Sequence, residues 1–270
     1  MVKVGSAASL RENQYAGSTE DRVKELEEMY SDKEVKAIIC SRGGYGAIRV
    51  TDMINYDLIK RNPKIFVGYS DITALHSAIL RTTGLTTFHG PMLISFVDTK
   101  DEFTWKYLFE VISSYAPSEI IFPKDQQPKV LRQGNAEGRL FGGNLTLLIN
   151  MIGTRFDFNT EEKILFIEDT DEKLYSIDRL LLHLKRSGKL DRIAGLIVGE
   201  VTKLSDEEIP FGKSLDEIVL DVCRDTQFPI ISNFPCGHGE HQMTMPYNIM
   251  ARMLCTKDRV SFTFLESAVV

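Results

Sequence analysis

Apolar residues fall at helical spacing over Thr19 to Tyr30, where Val23, Leu26 and Met29 share one face, and then close up into the short run Val35 to Cys40. That run reads as a buried strand. It empties into Ser41-Arg42-Gly43-Gly44-Tyr45-Gly46, and Ile48, Val50, Met53 and Ile54 predict a helix beyond the turn. The same alternation continues with a strand Ile65 to Tyr69, a helix from about Asp71 to Arg81, a short strand Thr86 to His89 and a helix from about Glu102 to Ser114. Strands alternating with helices predict a doubly wound, mostly parallel sheet covered on both faces.

After Ser114 the pattern breaks, because Pro117, Pro123, Asp125, Gln126, Gln127 and Pro128 make the most polar, proline-rich segment of the chain. The expected division is an N-terminal α/β domain over residues 1–116, a linker over 117–135 and a C-terminal domain over 136–270. In the second half, strands are expected at Glu137 to Gly143, Lys163 to Ile167, Ala194 to Val201, Pro229 to Phe234, Asn248 to Cys255 and Arg259 to Leu265. Helices are expected at Asn144 to Met151, Ile177 to Ser187 and Leu215 to Cys223. Their spacing is too irregular for repeats, so the second domain reads as strand-rich α/β.

Composition narrows the function classes. With 43% hydrophobic and 26% charged residues over 270 positions, the chain is an ordinary globular protein long enough for two domains. A formal net charge of -6 speaks against a nucleic-acid partner. Lacking a long apolar run or an apolar N-terminal core, the chain is expected to be cytoplasmic with no membrane partner. Cys40, Cys223, Cys236 and Cys255 stand far apart with no Cys-x-x-Cys pair, which suggests buried thiols.

The chemistry gathers at Lys64 to Ala74, where a strand ends at Gly68-Tyr69-Ser70-Asp71. A serine on a turn at the carboxyl end of a buried strand is lifted into the crevice where open α/β sheets act, and it needs a base and an orienting acid. Of five histidines, His76 and His183 fall inside helices and His89 ends a strand. His238 lies between two glycines in Cys236-Gly237-His238-Gly239-Glu240-His241, open to a base role or a loop role. Glu168, after Ile164-Leu165-Phe166-Ile167, reads either as a cleft-facing acid or, with Asp169, Asp171 and Glu172, as a solvated acidic turn. The Arg42-to-Gly46 turn admits a phosphate cradle, an oxyanion hole or a plain tight turn. A metal at His238, Glu240 and His241 is disfavoured because helical histidine spacing is absent; no metal and no cofactor are expected. Cys236 lies too close to His238 for the two to come from separate elements.

Taken together and in order, Cys40-Ser41-Arg42-Gly43-Gly44-Tyr45-Gly46, Val67-Gly68-Tyr69-Ser70-Asp71, Phe141-Gly142-Gly143-Asn144-Leu145-Thr146, Leu165-Phe166-Ile167-Glu168-Asp169 with Ile177-Asp178-Arg179, and Pro235-Cys236-Gly237-His238-Gly239 resemble the LD-carboxypeptidase family. This family of serine peptidases includes muramoyltetrapeptide carboxypeptidase and the microcin-immunity hydrolases. The resemblance implies a Ser70-Glu168-His238 triad between two domains, an oxyanion hole from the amides of Gly44 and Asp71, and a muropeptide substrate that loses its terminal D-alanine in cell-wall recycling. It also implies a homodimer. Arg42 is the nearest cation for a substrate carboxylate and equally a candidate structural ion-pair partner, with Tyr45 beside it as a substrate contact. Within the family, Asp171 to Arg179 looks more like the muropeptide enzymes than the microcin-type peptide-nucleotide hydrolases. Family members open with a further strand and helix, so the first sheet is expected to lack both, with an open edge beside the elbow. A catalytically impaired muropeptide-binding variant therefore stays open as the alternative to an enzyme.

Overall fold

The computed structural model describes residues 2–98, 101–113 and 119–269, with the backbone alone described at 98. The first sheet is built from β1 (Ala37–Ile39), β2 (Ile65–Gly68) and β3 (Phe88–His89), all parallel. Around it lie α1 (Thr19–Ser31), α2 (Ala47–Thr51), α3 (Tyr56–Arg61), α4 (Thr73–Thr83), α5 (Leu93–Asp98) and α6 (Glu102–Ser113). Local chemistry sets several of these limits. Ser18 and Asp21 form a reciprocal capping box at the start of α1, and Gly84 in the left-handed region stops α4.

The second sheet contains β4 (Lys129–Arg132), β5 (Gly134–Asn144), β6 (Lys163–Thr170), β7 (Gly195–Thr202) and β8 (Ile230–Ser232), with α7 (Leu145–Met151), α8 (Leu174–Arg186) and α9 (Leu215–Val222) in the crossovers. A two-residue strand β9 (Met245–Pro246) follows, then the hairpin β10 (Met250–Cys255) and β11 (Val260–Phe264). The strand order is β11-β10-β5-β6-β7-β8-β4, with β5 to β8 parallel and the outer strands antiparallel. This is the mixed α/β architecture that the alternation predicts: a mostly parallel N-terminal sheet and a strand-rich second one. The apolar runs of β6 and the first half of β7 are buried on both faces, as parallel strands covered by helices require.

The expected boundary at 116/117 and the helix end at Ser114 lie outside the described residues. Within 117–135, Lys129–Arg132 is strand β4, paired antiparallel to β8. β1 forms one edge of the first sheet, yet the elbow is formed, because β2 lies between β1 and β3. The fourth strand of that sheet is β9, which returns from the second half of the chain to pair antiparallel with β3. Tyr247, just past β9, is buried; its ring stacks on His76 of α4 and its hydroxyl donates to the Gly142 carbonyl of β5 at 2.5 Å. The Asn144 amide donates to Thr73 Oγ1 at 3.0 Å. The two sheets are thus bolted together at the carboxyl ends of β2, β5 and β6, the place where open α/β sheets hold ligands.

Candidate active site

Ser70 follows β2 and opens a short 3-10 turn, Ser70–Ile72, before α4 begins at Thr73. Its φ of 63 places a non-glycine residue in the left-handed region, a strained elbow that projects the hydroxyl off the strand end. Helix α4 carries no side-chain cap, and the Asp71 carboxylate does not cap that helix as a short acidic residue there would be expected to. It reaches instead across 24 positions to accept the Ala47 amide at 2.7 Å.

Glu168 stands near the end of β6. The pairing with β7 shifts register there, Ile167 facing Val198 and Asp169 facing Val201, so two residues of β7 oppose Glu168 alone. Such a bulge re-aims side chains locally. Glu168 and Asp169 are 1% and 3% exposed, which corrects the solvated-turn reading: β6 runs on to Thr170, and Asp169 is consumed by polar partners. Its carboxylate accepts from Asn144 Nδ2 (2.9 Å), the Thr146 amide (3.0 Å) and Thr146 Oγ1 (3.0 Å), tying β6 to the start of α7.

The histidine loop crosses the bulge. The Glu200 amide donates to the Cys236 carbonyl at 3.0 Å, and Glu200 and Gly237 form an isolated parallel bridge. This approach explains both glycines. At Gly237, with φ +114, a Cβ would lie 2.7 Å from Glu168 Cβ, and at Gly239 one would fall within the Glu200 carboxylate.

The three elements bring Ser70, His238 and Glu168 into one hydrogen-bonded line. His238 Nδ1 lies 2.6 Å from Glu168 Oε2, and Nε2 lies 3.0 Å from Ser70 Oγ. With Nδ1–H donating to the carboxylate, Nε2 is free to accept the serine proton. Burial disfavours the imidazolium, but the hydrogen bond and charge of Glu168, with Asp169 behind it, outweigh burial and raise the His238 pKa. Burial pushes the Glu168 carboxyl above its ordinary value, against the pull of His238. The Tyr69 ring meets His238 edge-on at 4.9 Å between centroids, a support no periodicity announces.

Around this line, Gly43 packs so closely on the elbow that a Cβ there would come within 3.2 Å of Ser70 Oγ, which puts the Gly43-Gly44 turn beside the hydroxyl. Arg42 and Tyr45 are exposed on the same turn, and among the described residues Arg42 has no ion-pair partner. His89, at the end of β3, is fully buried between the Tyr69 and Phe166 rings. His76 is buried as well, with Nε2 2.8 Å from the Gly68 carbonyl, and His183 is exposed. No group of three or more His, Cys, Asp or Glu side chains among the described residues is arranged to hold a metal.

Residues 1–90 match the LD-carboxypeptidase N-terminal domain and residues 137–253 the LD-carboxypeptidase C-terminal domain. The chain belongs to the LD-carboxypeptidase family. It is 39% identical over 258 residues to the "Probable murein peptide carboxypeptidase" of Bacillus subtilis, covering 93% of this chain and 79% of that one. It is 29% identical over 279 residues to the microcin C7 self-immunity protein MccF of Escherichia coli, covering 92% and 79%. Among solved structures, MccF superposes with a TM-score of 0.91 at 24% identity over 98% of this chain and 86% of that chain, a likeness of fold. The muramoyltetrapeptide carboxypeptidase of Oxalobacter formigenes superposes with a TM-score of 0.85 at 27% identity, covering 96% and 89%. Membership makes the chain a carboxypeptidase of this hydrolase family, and among the described residues no helix is long and apolar enough to cross a membrane.

Proposed function

We propose that the chain is a serine carboxypeptidase that removes the terminal D-alanine from muropeptide tetrapeptides during cell-wall recycling. The observation that carries the reading is the Ser70–His238–Glu168 line, assembled from three separate elements across two sheets. His238 takes the Ser70 proton as Oγ attacks the carbonyl of the L-to-D peptide bond, and Glu168 holds the imidazolium in place. The amides of Gly44 and Asp71 receive the oxyanion; loss of one such donor typically costs about 3 kcal/mol of barrier. His238 returns the proton to the departing amine, free D-alanine leaves, and water then resolves the acyl-enzyme by the same route. Arg42, exposed and without a carboxylate partner among the described residues, is suited to hold the substrate's terminal carboxylate, with Tyr45 beside it.

The second reading, cleavage of a peptide-nucleotide conjugate, is favoured by the likeness to MccF, solved in complex with aspartyl sulfamoyl adenosine. The higher identity to the murein peptide relative favours the first. Incubating wild type and Ser70→Ala with a muropeptide tetrapeptide and with aspartyl sulfamoyl adenosine separates them. Release of D-alanine by wild type alone, insensitive to chelators, is the expected result. Cleavage of the sulfamoyl adenosine alone transfers the activity to the second reading, and release that survives Ser70→Ala removes Ser70 as nucleophile.

A further inference from the structure

Among the described residues no side chain of Ser41 to Gly46 makes a hydrogen bond that holds the turn carrying Gly44, although the Tyr45 ring meets Tyr15 at 6.3 Å between centroids. Helix α2 begins at Ala47 behind Gly46, whose φ is +117 and which offers no side-chain cap, so the first amides of α2 need a partner from elsewhere. Asp71 provides it. The Ala47 amide donates to Asp71 Oδ2 at 2.7 Å, while from the opposite side Arg22 Nη1 donates to the Gly46 carbonyl at 3.1 Å, its guanidinium lying over the Tyr15 ring. The peptide between Gly46 and Ala47 is therefore gripped at both ends. Three residues upstream, Gly43 already touches Ser70.

Burying Asp71 to 5% exposure, with Oδ1 lacking a hydrogen-bond partner among the described residues, is unfavourable for folding alone. A charge-assisted bond to a backbone amide is shorter and stiffer than a neutral one, which is what a turn that must not drift requires. Burial raises the Asp71 pKa, and the amides of Ala47 and Gly46 and the charge of Arg22 oppose that rise. Resting on the hydrolase reading above, we infer that the Asp71 carboxylate is the positioning group of the oxyanion site: it fixes the Gly43-Gly44 turn relative to Ser70, so one residue serves the site through its backbone and registers the other donor through its side chain.

The test uses the full chain and a fluorophosphonate probe, which loses fluoride as Ser70 Oγ bonds to phosphorus with His238 taking the serine proton, and whose phosphoryl oxygen enters the same oxyanion site. Asp71→Ala should slow labelling of Ser70 and lower kcat for D-alanine release, each by about a hundredfold, with KM changed less than threefold. Asp71→Asn, which keeps an acceptor in place, should lose less, and Arg22→Ala, which loosens the other end without touching the elbow, should shift both rates in the same direction. The inference is overturned if folded Asp71→Ala keeps its labelling rate within threefold, or if its loss is only a smaller fraction of labelled protein at normal kcat per labelled site. Should Asp71→Ala not fold, an Asp71→Asn labelling rate equal to wild type overturns it equally. A wild type that labels at Ser70 but leaves the tetrapeptide intact refutes the substrate reading alone, and the labelling rates still decide the role of Asp71.

Discussion

Ser70 holds a backbone conformation that most side chains avoid, and the cost is borne for the direction in which its hydroxyl points. Replacing it by glycine relieves that strain, whereas alanine does not. Ser70→Gly is therefore expected to be more stable to urea than Ser70→Ala by roughly 0.5–1 kcal/mol, both variants being inactive. At His238, the proposed base, the sign of the pH effect follows from its raised pKa: a base must be neutral to take the serine proton, so kcat/KM is expected to fall as the imidazole protonates on acidification. The acid limb of the kcat/KM profile should lie above the ordinary histidine value of about 6.5. In Glu168→Gln it should move down, because the glutamine removes the charge that favours the imidazolium. A limb that stays put would remove Glu168 as the partner of His238.

Among the elements, the histidine loop depends on two missing side chains. Gly237→Ala forces a Cβ against Glu168 at a backbone angle that alanine resists, so activity should drop more than a hundredfold while the circular dichroism of the sheets is retained. The sequence announces this loop by its Gly-His-Gly spacing; the reason for the spacing, the bridge from Gly237 to Glu200 on β7, is invisible without the fold. Strands β2 and β6 and the long helices α1, α4 and α8 are legible because buried parallel strands and amphipathic helices leave clean periodicities. Four shorter elements are not. β9 is two residues ending in proline, and α5 leaves Leu93, Ile94, Phe96 and Val97 exposed, so its apolar residues do not mark a buried face. β4 is hidden in a polar, proline-rich stretch, and α3 has six residues, although its Asn55 cap on the Leu58 amide was a readable start signal. At the site, the serine and histidine stand out by their turns, while the Asp71-to-Ala47 bond, formed across sequence, has no local signature.

Over the whole molecule, the interface between the two sheets is lined by buried neutral imidazoles. Burial lowers the His76 pKa to about 4, against the ordinary 6.5, so the unfolded chain binds the extra proton more readily. Acidification from pH 7 to 4 should thus remove about 3 kcal/mol of stability through His76 alone, with His89, also held well below its ordinary value by burial, adding to the loss. Urea unfolding followed across that window, with His76→Gln as the control showing a shallower pH slope, measures it.

The strand that completes the first sheet has an implication for how the protein is made. β9 (Met245–Pro246) is translated long after β2 (Ile65–Gly68), the strand that leads into Ser70. At roughly 5–20 residues per second, the emerging N-terminal sheet waits on the order of ten seconds for its fourth strand. Through nearly all of that interval His238, the proposed base for Ser70, has not been made. On the proposed mechanism, synthesis itself keeps the serine silent: Ser70 is present before the base that would activate it, and the site is complete only once the histidine loop and β9 have followed.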